Sequence, residues 1–305
     1  MKKPLVSIIM PTLNSAAFIR ESIHSLIDQK YDRLELIVVD GGSTDGTLEI
    51  VESYCGDGDL TLIRLTRQTG SMPQSLNAGL AAAKGEFMAR FDADDVAYEW
   101  RLHDQVNFLI SNPDVDLVGT GADIFGDRES VARSPLSHTA IRDMYLVNNP
   151  FFHPTIMFRR KLYDSGLFYY DENQVCEEDY ELWGRVIPHA KCANLDQSSI
   201  RYRVHGQNAQ FDPRKPKLKE YALREFLETF SFSDSQLISA LAEFQCSGFI
   251  RYTDYVVFSN YAKNCARKGL PKLGWIHDSL LRCKTFREFQ AWYIHAKGWN
   301  FAASM

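Results

Sequence analysis

The chain has 305 residues, 45% hydrophobic, 24% charged and 12% aromatic, which is enough to bury one large core or two modest ones. Its 18 glycines and 11 prolines follow no period, and this excludes fibrous and linker-dominated architectures. The net charge of −5 is uneven, with 20 basic and 30 acidic residues in 1–210 but 14 and 9 in 211–305; a uniformly basic nucleic-acid footprint is absent.

From residue 5 to about 119, short β-branched runs alternate with longer helical patterns. Strands are predicted at Leu5–Met10, Leu34–Asp40, Leu60–Leu65, Glu86–Phe91 and Val115–Gly119. Helices are predicted at Ala16–Gln29, Thr47–Tyr54, Met72–Ala83 and Trp100–Ile110, where apolar residues recur at three- and four-residue spacing. This alternation implies an α/β fold with a mainly parallel sheet covered by helices on both faces. From about 120 to 210 the pattern is irregular, with a short strand at Thr155–Phe158 and an acidic helix from near Glu177. After Phe211-Asp212-Pro213-Arg214-Lys215-Pro216 the pattern is helical, at about 217–231, 234–246, 253–267, 271–282 and 285–297. The two prolines and the charge shift place a boundary here, giving a domain at 1–210 and a helical C-terminal region at 211–305.

In such sheets, ligands bind beyond the carboxyl ends of the strands. Three polar clusters stand there: Pro11-Thr12-Leu13-Asn14, Asp40-Gly41-Gly42-Ser43-Thr44-Asp45-Gly46-Thr47 and Asp92-Ala93-Asp94-Asp95. The aspartates of the third suit a hard divalent cation shared with diphosphate oxygens, although such a turn taken alone is more often a solvated loop or the cap of the next helix. In the second, the glycines permit a tight turn, Ser43, Thr44 or Asp45 can cap a helix, and Asp40 can accept hydrogen bonds from a ribose or base. Neither G-x-G-x-x-G nor a Walker lysine motif occurs. Glu177-Glu178-Asp179-Tyr180-Glu181-Leu182-Trp183 reads as a helix start that exploits the macrodipole, or as carboxylates facing a cleft where one serves as general base.

Taken together, Val6–Asn14, Asp40–Thr47, Leu76-Asn77-x-Gly79, Arg90-x-Asp92-Ala93-Asp94-Asp95, His153-Pro154-Thr155 with Met157-Phe158-Arg159-Arg160, Glu178–Trp183 and Tyr202-Arg203-x-His205 resemble the successive motifs of the family 2 glycosyltransferases. Their order and spacing match across about residues 5–210. The resemblance implies the GT-A fold, a nucleotide-sugar donor, a divalent metal (Mn²⁺ or Mg²⁺) and inversion at the anomeric carbon. It puts Pro11, Thr12, Asn14 and Asp40 in the nucleoside pocket. Asp92 and Ala93 fall beside the ribose and metal, and Asp94 is the direct metal ligand. His205 approaches the diphosphate and metal. Asp179 corresponds to the base that deprotonates the acceptor, with Glu178 beside it. His153 shapes the acceptor side, and Asn77 fixes a helix near the donor. The resemblance further implies a uridine diphosphate sugar as donor and a glycan or lipid-linked oligosaccharide of the bacterial surface as acceptor.

A sugar nucleotidyltransferase shares the sheet and carboxylates but calls for a glycine-rich basic loop where this chain has Pro-Thr-Leu-Asn. A non-catalytic nucleotide-sugar-binding protein is the rival outside enzymology, and the Glu178-Asp179 pair speaks against it. The six cysteines form no C-x-x-C pair and no zinc pattern, as expected of reduced thiols. The apolar run Leu5–Met10 is too short for a signal peptide, and no stretch approaches the roughly 20 residues of a membrane span. A cytoplasmic location is therefore expected, free or peripheral at the inner face of the cell membrane. Residues 261–305 carry eight Lys or Arg against Asp278 and Glu288, interleaved with Trp275, Phe286, Phe289, Trp292, Tyr293 and Trp299. This composition fits contact with an anionic membrane surface, and equally a solvated charged face with its aromatics packed inward.

Overall fold

The computed structural model describes residues 3–55, 60–64, 71–145, 148–174, 177–206, 215–229, 238–239 and 242. In chain order its elements are β1 (Val6–Thr12), α1 (Ile19–Ile27), β2 (Leu34–Asp40), α2 (Thr47–Glu52), β3 (Leu60–Arg64), α3 (Met72–Ala82) and β4 (Phe87–Arg90). Then follow β5 (Val96–Ala97), α4 (Arg101–Ser111), β6 (Leu117–Gly126), β7 (Ser130–Ala132) and α5 (His138–Tyr145). A 3₁₀ turn at His153–Thr155 leads to β8 (Met157–Arg159), α6 (Arg160–Asp164), α7 (Glu178–Val186), β9 (Cys192–Val204) and α8 (Lys215–Glu228).

Every residue of β1 is buried because both faces of the sheet are covered. Along β1 and β2, side chains alternate between two cores, with Ile9, Ile37 and Val39 in one and Val6, Ile8, Met10, Leu36 and Val38 in the other. The first core is closed by α3 through Leu76 and Leu80 and by α7 through Leu182, Trp183 and Val186. The second is closed by Ile19, Ile23 and Leu26 of α1 and by Leu102, Val106 and Leu109 of α4. The strand order is β3-β2-β1-β4-β8-β6-β9-β5, with β7 on β6. The first four strands are parallel, as predicted. Beyond them the sheet is mixed: β8 runs antiparallel to β4 and β6, β9 is parallel to β6, and β5 is antiparallel to β9.

Several elements differ from the sequence expectation for definable reasons. The first helix begins at Ile19 rather than Ala16, because the Ser15 and Ala16 amides donate instead to Thr47 Oγ1 (2.8 Å) and Asp45 Oδ2 (3.0 Å). The long strand β9 carries no apolar alternation in its Asp196-Gln197-Ser198-Ser199 stretch. Its register against β6 also shifts twice around Gly121, where a side chain would stand 2.6 Å from the Ala132 carbonyl.

Helix α8 lies past the boundary placed at 211–216, yet its buried residues Ala222, Leu223 and Phe226 belong to the first core, as do Ile238 and Ala242. The described part of 211–305 is thus packed on the sheet domain's own core. Gly184 of α7 allows the approach of the two helices, since a side chain there would meet Tyr145 Oη at 2.6 Å and the Ala222 carbonyl at 3.3 Å. The remaining helices predicted in that region and the basic stretch 261–305 lie outside the described residues. No helix among the described residues is long and apolar enough to cross a membrane.

Phe226 is 2% exposed and lies 4.7 Å, centroid to centroid, from Tyr145. Phe226→Ala is expected to lower the stability of the whole sheet domain by about 3–5 kcal/mol, through lost burial and the cavity left behind. Urea unfolding followed by tryptophan fluorescence checks this; an unchanged midpoint would mean that α8 is not part of the domain core.

Candidate active site

The parallel register pairs Thr12 with Asp40 and Ile9 with Arg90, so the chain leaves β1, β2 and β4 at neighbouring points on one sheet edge. There the first two motifs are laced into one unit. Asn14, in the left-handed region at φ 50°, accepts at Oδ1 from the Thr44 amide (2.9 Å), and its own amide donates to Ser43 Oγ (2.8 Å). Asparagine is among the few residues that adopt this conformation readily. None of the three residues expected to cap α2 does so: its N-cap is Gly46, without a side-chain cap, and Asp45 before it accepts from the Thr47 amide (3.1 Å) and hydroxyl (2.6 Å).

Asp40 accepts at Oδ2 from the amides of Gly42 (2.9 Å) and Ser43 (3.0 Å) and is 1% exposed. Its Oδ1 has no hydrogen-bond partner, nor has Thr12 Oγ1, among the described residues. A cavity of about 740 Å³ opens beside these turns, lined by Pro11, Thr12 and Asn14 and by Asp92, Ala93 and Asp94. Asp40 is not among the side chains that line it; it holds the turn next to Thr12.

The acidic turn after β4 is the electrostatic centre of the site. Ligand oxygens of Asp92, Asp94 and Asp95 lie within 4.8 Å of one another. Arg90, itself buried, grips Asp92 with both Nη atoms at 2.5 Å. Fully buried Arg101 donates to the Arg90 carbonyl at 2.7 Å, and burial lowers its pKa to about 9 against the opposing pull of Asp95. Burial, then the charges of Asp92 and Asp94, push the Asp95 carboxyl well above the usual range. Burial likewise raises Asp92, with Arg90 opposing.

The two-residue strand β5, which follows Asp95 directly, pairs with β9 through Val96↔Arg201 and so brings residues 201–205 beside the aspartates. The Arg203 amide donates to Asp95 Oδ1 (2.8 Å), and Arg203 Nε donates to the Asp94 carbonyl (2.7 Å). His205 Nε2 stands 2.9 Å from Asp94 Oδ2. Oxygen donors in this number, an unpartnered buried Oδ2 on Asp95 and an adjacent imidazole fit a hard divalent cation.

A further part of the cavity lining comes from α7. Trp183, Leu182 and Val186 anchor it, and its amino end carries Glu177, Glu178 and Asp179 into the cavity lining. Asp179 accepts from Asn149 Nδ2 and from the Tyr180 amide. Burial, then the neighbouring Asp179 charge, raises the Glu178 carboxyl to about 7. Glu181, the fourth acid of the run, points away and is clamped by Arg185 at 2.5 and 2.9 Å.

His153 lines the cavity with its Nε2 2.7 Å from Tyr170 Oη. Burial, then Arg90, lowers its pKa well below the usual histidine range, so the ring is neutral. Asn77 ties α3 to the segment before α7, donating to the Tyr170 carbonyl (2.8 Å) and accepting from its amide (2.9 Å). Sequence reasoning missed Arg101, Asn149 and Lys219. The first sits in an amphipathic helix like any exposed arginine, the second in a loop with no pattern, and the third beyond every motif.

The family described as glycosyl transferase family 2 matches residues 7–167, more than half of the chain. A second comparison agrees: the chain is 34% identical over 203 residues to the putative glycosyltransferase EpsE of Bacillus subtilis, covering 66% of this chain and 73% of EpsE. The chain belongs to glycosyl transferase family 2. An uncharacterized glycosyltransferase of Haemophilus influenzae is 32% identical over 215 residues, covering 67% of this chain, and the chain spans 66% of that relative's length. The O-antigen biosynthesis glycosyltransferase WbnJ of Escherichia coli is 26% identical over 253 residues, covering 81% of this chain and 97% of WbnJ. Among solved structures, S. aureus TarS in complex with UDP-GlcNAc superposes with a TM-score of 0.66 at 20% identity, covering 98% of this chain and 93% of that one. The mannosyltransferase PcManGT of Pyrobaculum calidifontis, in complex with GDP-Man and Mn²⁺, gives 0.56 at 19%, covering 92% and 86%. The glycosyltransferase fold expected from the motifs is therefore the one present.

Because Glu178 holds its proton more tightly in the folded state than in the unfolded one, folding stability falls as pH rises from about 4.5 to about 7. Glu178→Gln removes that penalty. It is expected to raise the melting temperature at pH 8, by the equivalent of about 1–3 kcal/mol, and to change little at pH 4.5. Thermal denaturation at the two pH values checks this; an equal effect at both would mean that Glu178 ionises normally.

Proposed function

We propose that the chain is an inverting glycosyltransferase that moves a sugar from a uridine diphosphate donor to a hydroxyl of a surface glycan or lipid-linked oligosaccharide, with Asp179 as the general base. The observation that carries this reading is that one cavity is lined both by Asp92 and Asp94 of the turn after β4 and by Glu178 and Asp179 of α7. The uridine donor is favoured by the likeness to TarS, bound there to UDP-GlcNAc, and the surface-glycan acceptor by the likeness to WbnJ of O-antigen biosynthesis.

In this reading Pro11, Thr12 and Asn14 receive the nucleoside, on turns already fixed by their mutual hydrogen bonds. The unpartnered Thr12 Oγ1 offers it a polar contact. Asp94 with Asp92, Asp95 and His205 would hold Mn²⁺ or Mg²⁺. When bound, that ion supplies Lewis-acid neutralisation of the departing diphosphate, worth several kcal/mol. Asn149 and the Tyr180 amide orient the Asp179 carboxylate, which takes the acceptor hydroxyl's proton as the new bond forms. Neutral His153, fixed by Tyr170, shapes the acceptor side without exchanging a proton.

Asp179→Asn is expected to reduce transfer by roughly 10²–10⁴-fold while leaving donor binding intact. Donor binding is read by thermal shift with UDP-, GDP- and dTDP-sugars, each with and without Mn²⁺, since a ligand of the folded state raises its stability by mass action. The largest shift is expected from a UDP-sugar with Mn²⁺, and Asp94→Ala should abolish the metal-dependent part. Normal turnover by Asp179→Asn would remove Asp179 from its role. A shift with GDP-sugars alone would move the donor assignment.

A further inference from the structure

Helix α1 carries a second stripe beside its apolar one. Ile19, Ile23 and Leu26 enter the core, whereas Phe18 at the N-cap, Ser22 and Ser25 stand at the i, i+4 and i+7 spacing of one helical face, with Gln29 just past the helix end. Ser22 is completely buried and Gln29 is buried too. Polar groups in such places are costly unless they are hydrogen-bonded. Their partners lie in order along a single segment, residues 93–98, which begins inside the acidic turn. Ser22 Oγ shares its hydrogen between the carbonyls of Ala93 (2.8 Å) and Asp95 (2.7 Å). Ser25 Oγ accepts from the Ala97 amide (3.0 Å), and Gln29 Nε2 donates to the Tyr98 carbonyl (2.9 Å).

The carbonyl between those of Ala93 and Asp95, that of Asp94, is taken by Arg203 Nε, and Arg203 is paired with Glu21 of α1. Three successive carbonyls of the acidic turn are therefore each held by a side chain from outside it. The Phe18 ring completes the face. It lies 4.8 Å from the His205 ring, centroid to centroid, and His205 Nε2 stands against Asp94 Oδ2.

We propose that Ser22 and Phe18 are positioning residues for the divalent-metal site, Ser22 fixing the backbone from which Asp94 and Asp95 project and Phe18 holding the imidazole of His205 against Asp94. This rests on the reading of the acidic turn as the metal site. An aspartate side chain is short, so its carboxylate follows any movement of its backbone closely. Hard cations such as Mg²⁺ demand ligands near ideal positions, and groups that orient those ligands from behind are worth about 10–100-fold in metal affinity. Phe18 also lines the cavity, so a probe without nucleotide is needed to separate holding His205 from touching a donor.

The test uses the full chain and Mn²⁺ alone. Binding is read from the EPR signal of the free ion, on protein kept well below its thermal transition. Ser22→Ala and Phe18→Leu are each expected to weaken Mn²⁺ binding by about tenfold. Ser22→Cys, similar in size but a weak donor, should follow Ser22→Ala, and Phe18→Tyr, which keeps the ring, should bind as the parent does. An unchanged Kd in Ser22→Ala or in Phe18→Leu overturns the proposal even where the melting temperature falls, because the stripe would then serve stability alone. Parent-like binding by Ser22→Cys overturns it too, since volume rather than the hydrogen bond would be what counts, and so does a Phe18→Tyr variant as weak as Phe18→Leu. Mn²⁺ bound by Asp94→Ala as tightly as by the parent would instead defeat the metal reading on which the proposal rests.

Discussion

Crowding of carboxylates at one sheet edge is the constraint around which this molecule is arranged. Asp92, Asp94 and Asp95 share a single turn, and uncompensated negative charge at that density would oppose folding. The compensation is built from beneath and from the side. Arg90 and Arg101 are both buried, the first spent on Asp92 and the second held by the Arg90 carbonyl. The backbone of β9 supplies the Arg203 amide to Asp95, and His205 meets Asp94. What stays uncancelled faces the cavity, where a cation and a diphosphate would enter. Binding a cation there would complete a charge balance that the fold leaves open, and the arrangement that would bind it belongs to the folded chain rather than to the aspartates alone.

The same logic explains why a strand of two residues matters. β5 is too short to contribute much to the sheet, yet its pairing with β9 sets the register that puts Arg203 and His205 alongside Asp94 and Asp95. Arg203 extends the link, with its guanidinium 4.8 Å from the Phe18 ring, 4.4 Å from the Phe125 ring and in contact with Glu21 of α1. Three elements distant in sequence are thereby held to one turn, and the geometry of that turn does not depend on the turn's own residues alone.

How much of this was legible in the sequence follows from range. Features written over short spans were readable: the β1, β2 and β4 runs, the glycine turn after β2, the Asp92–Asp95 cluster and the acidic start of α7 all appear where they were expected. Features written by tertiary pairing were not. β9 carries polar residues through its middle and two register shifts, so no period-two signal survives. Asp40 gives its Oδ2 to the amides of its own turn and keeps Oδ1 without a partner among the described residues, an arrangement that motif spacing does not show. Asn149 and Lys219 enter the site only because α5, α7 and α8 share a core.

The division runs through the active site itself. The family match ends at residue 167, whereas Glu178, Asp179, His205 and Lys219 all lie beyond it. The matched portion builds β1 to β8 and the turns after β1 and β4 that line the cavity, and hydrogen bonds between neighbouring turns fix their geometry. The remainder reaches the cavity by two routes: β9 brings His205 through its pairing with β5, and helix packing brings the others, with Gly184 admitting the close approach of α7 and α8 and a single stripe on α8 carrying both the core residues and Lys219. A change in the core beneath α8 therefore alters where Lys219 sits against Glu177. In this protein the packing of α8 and the lining of the cavity are one problem, because the same face of α8 serves both.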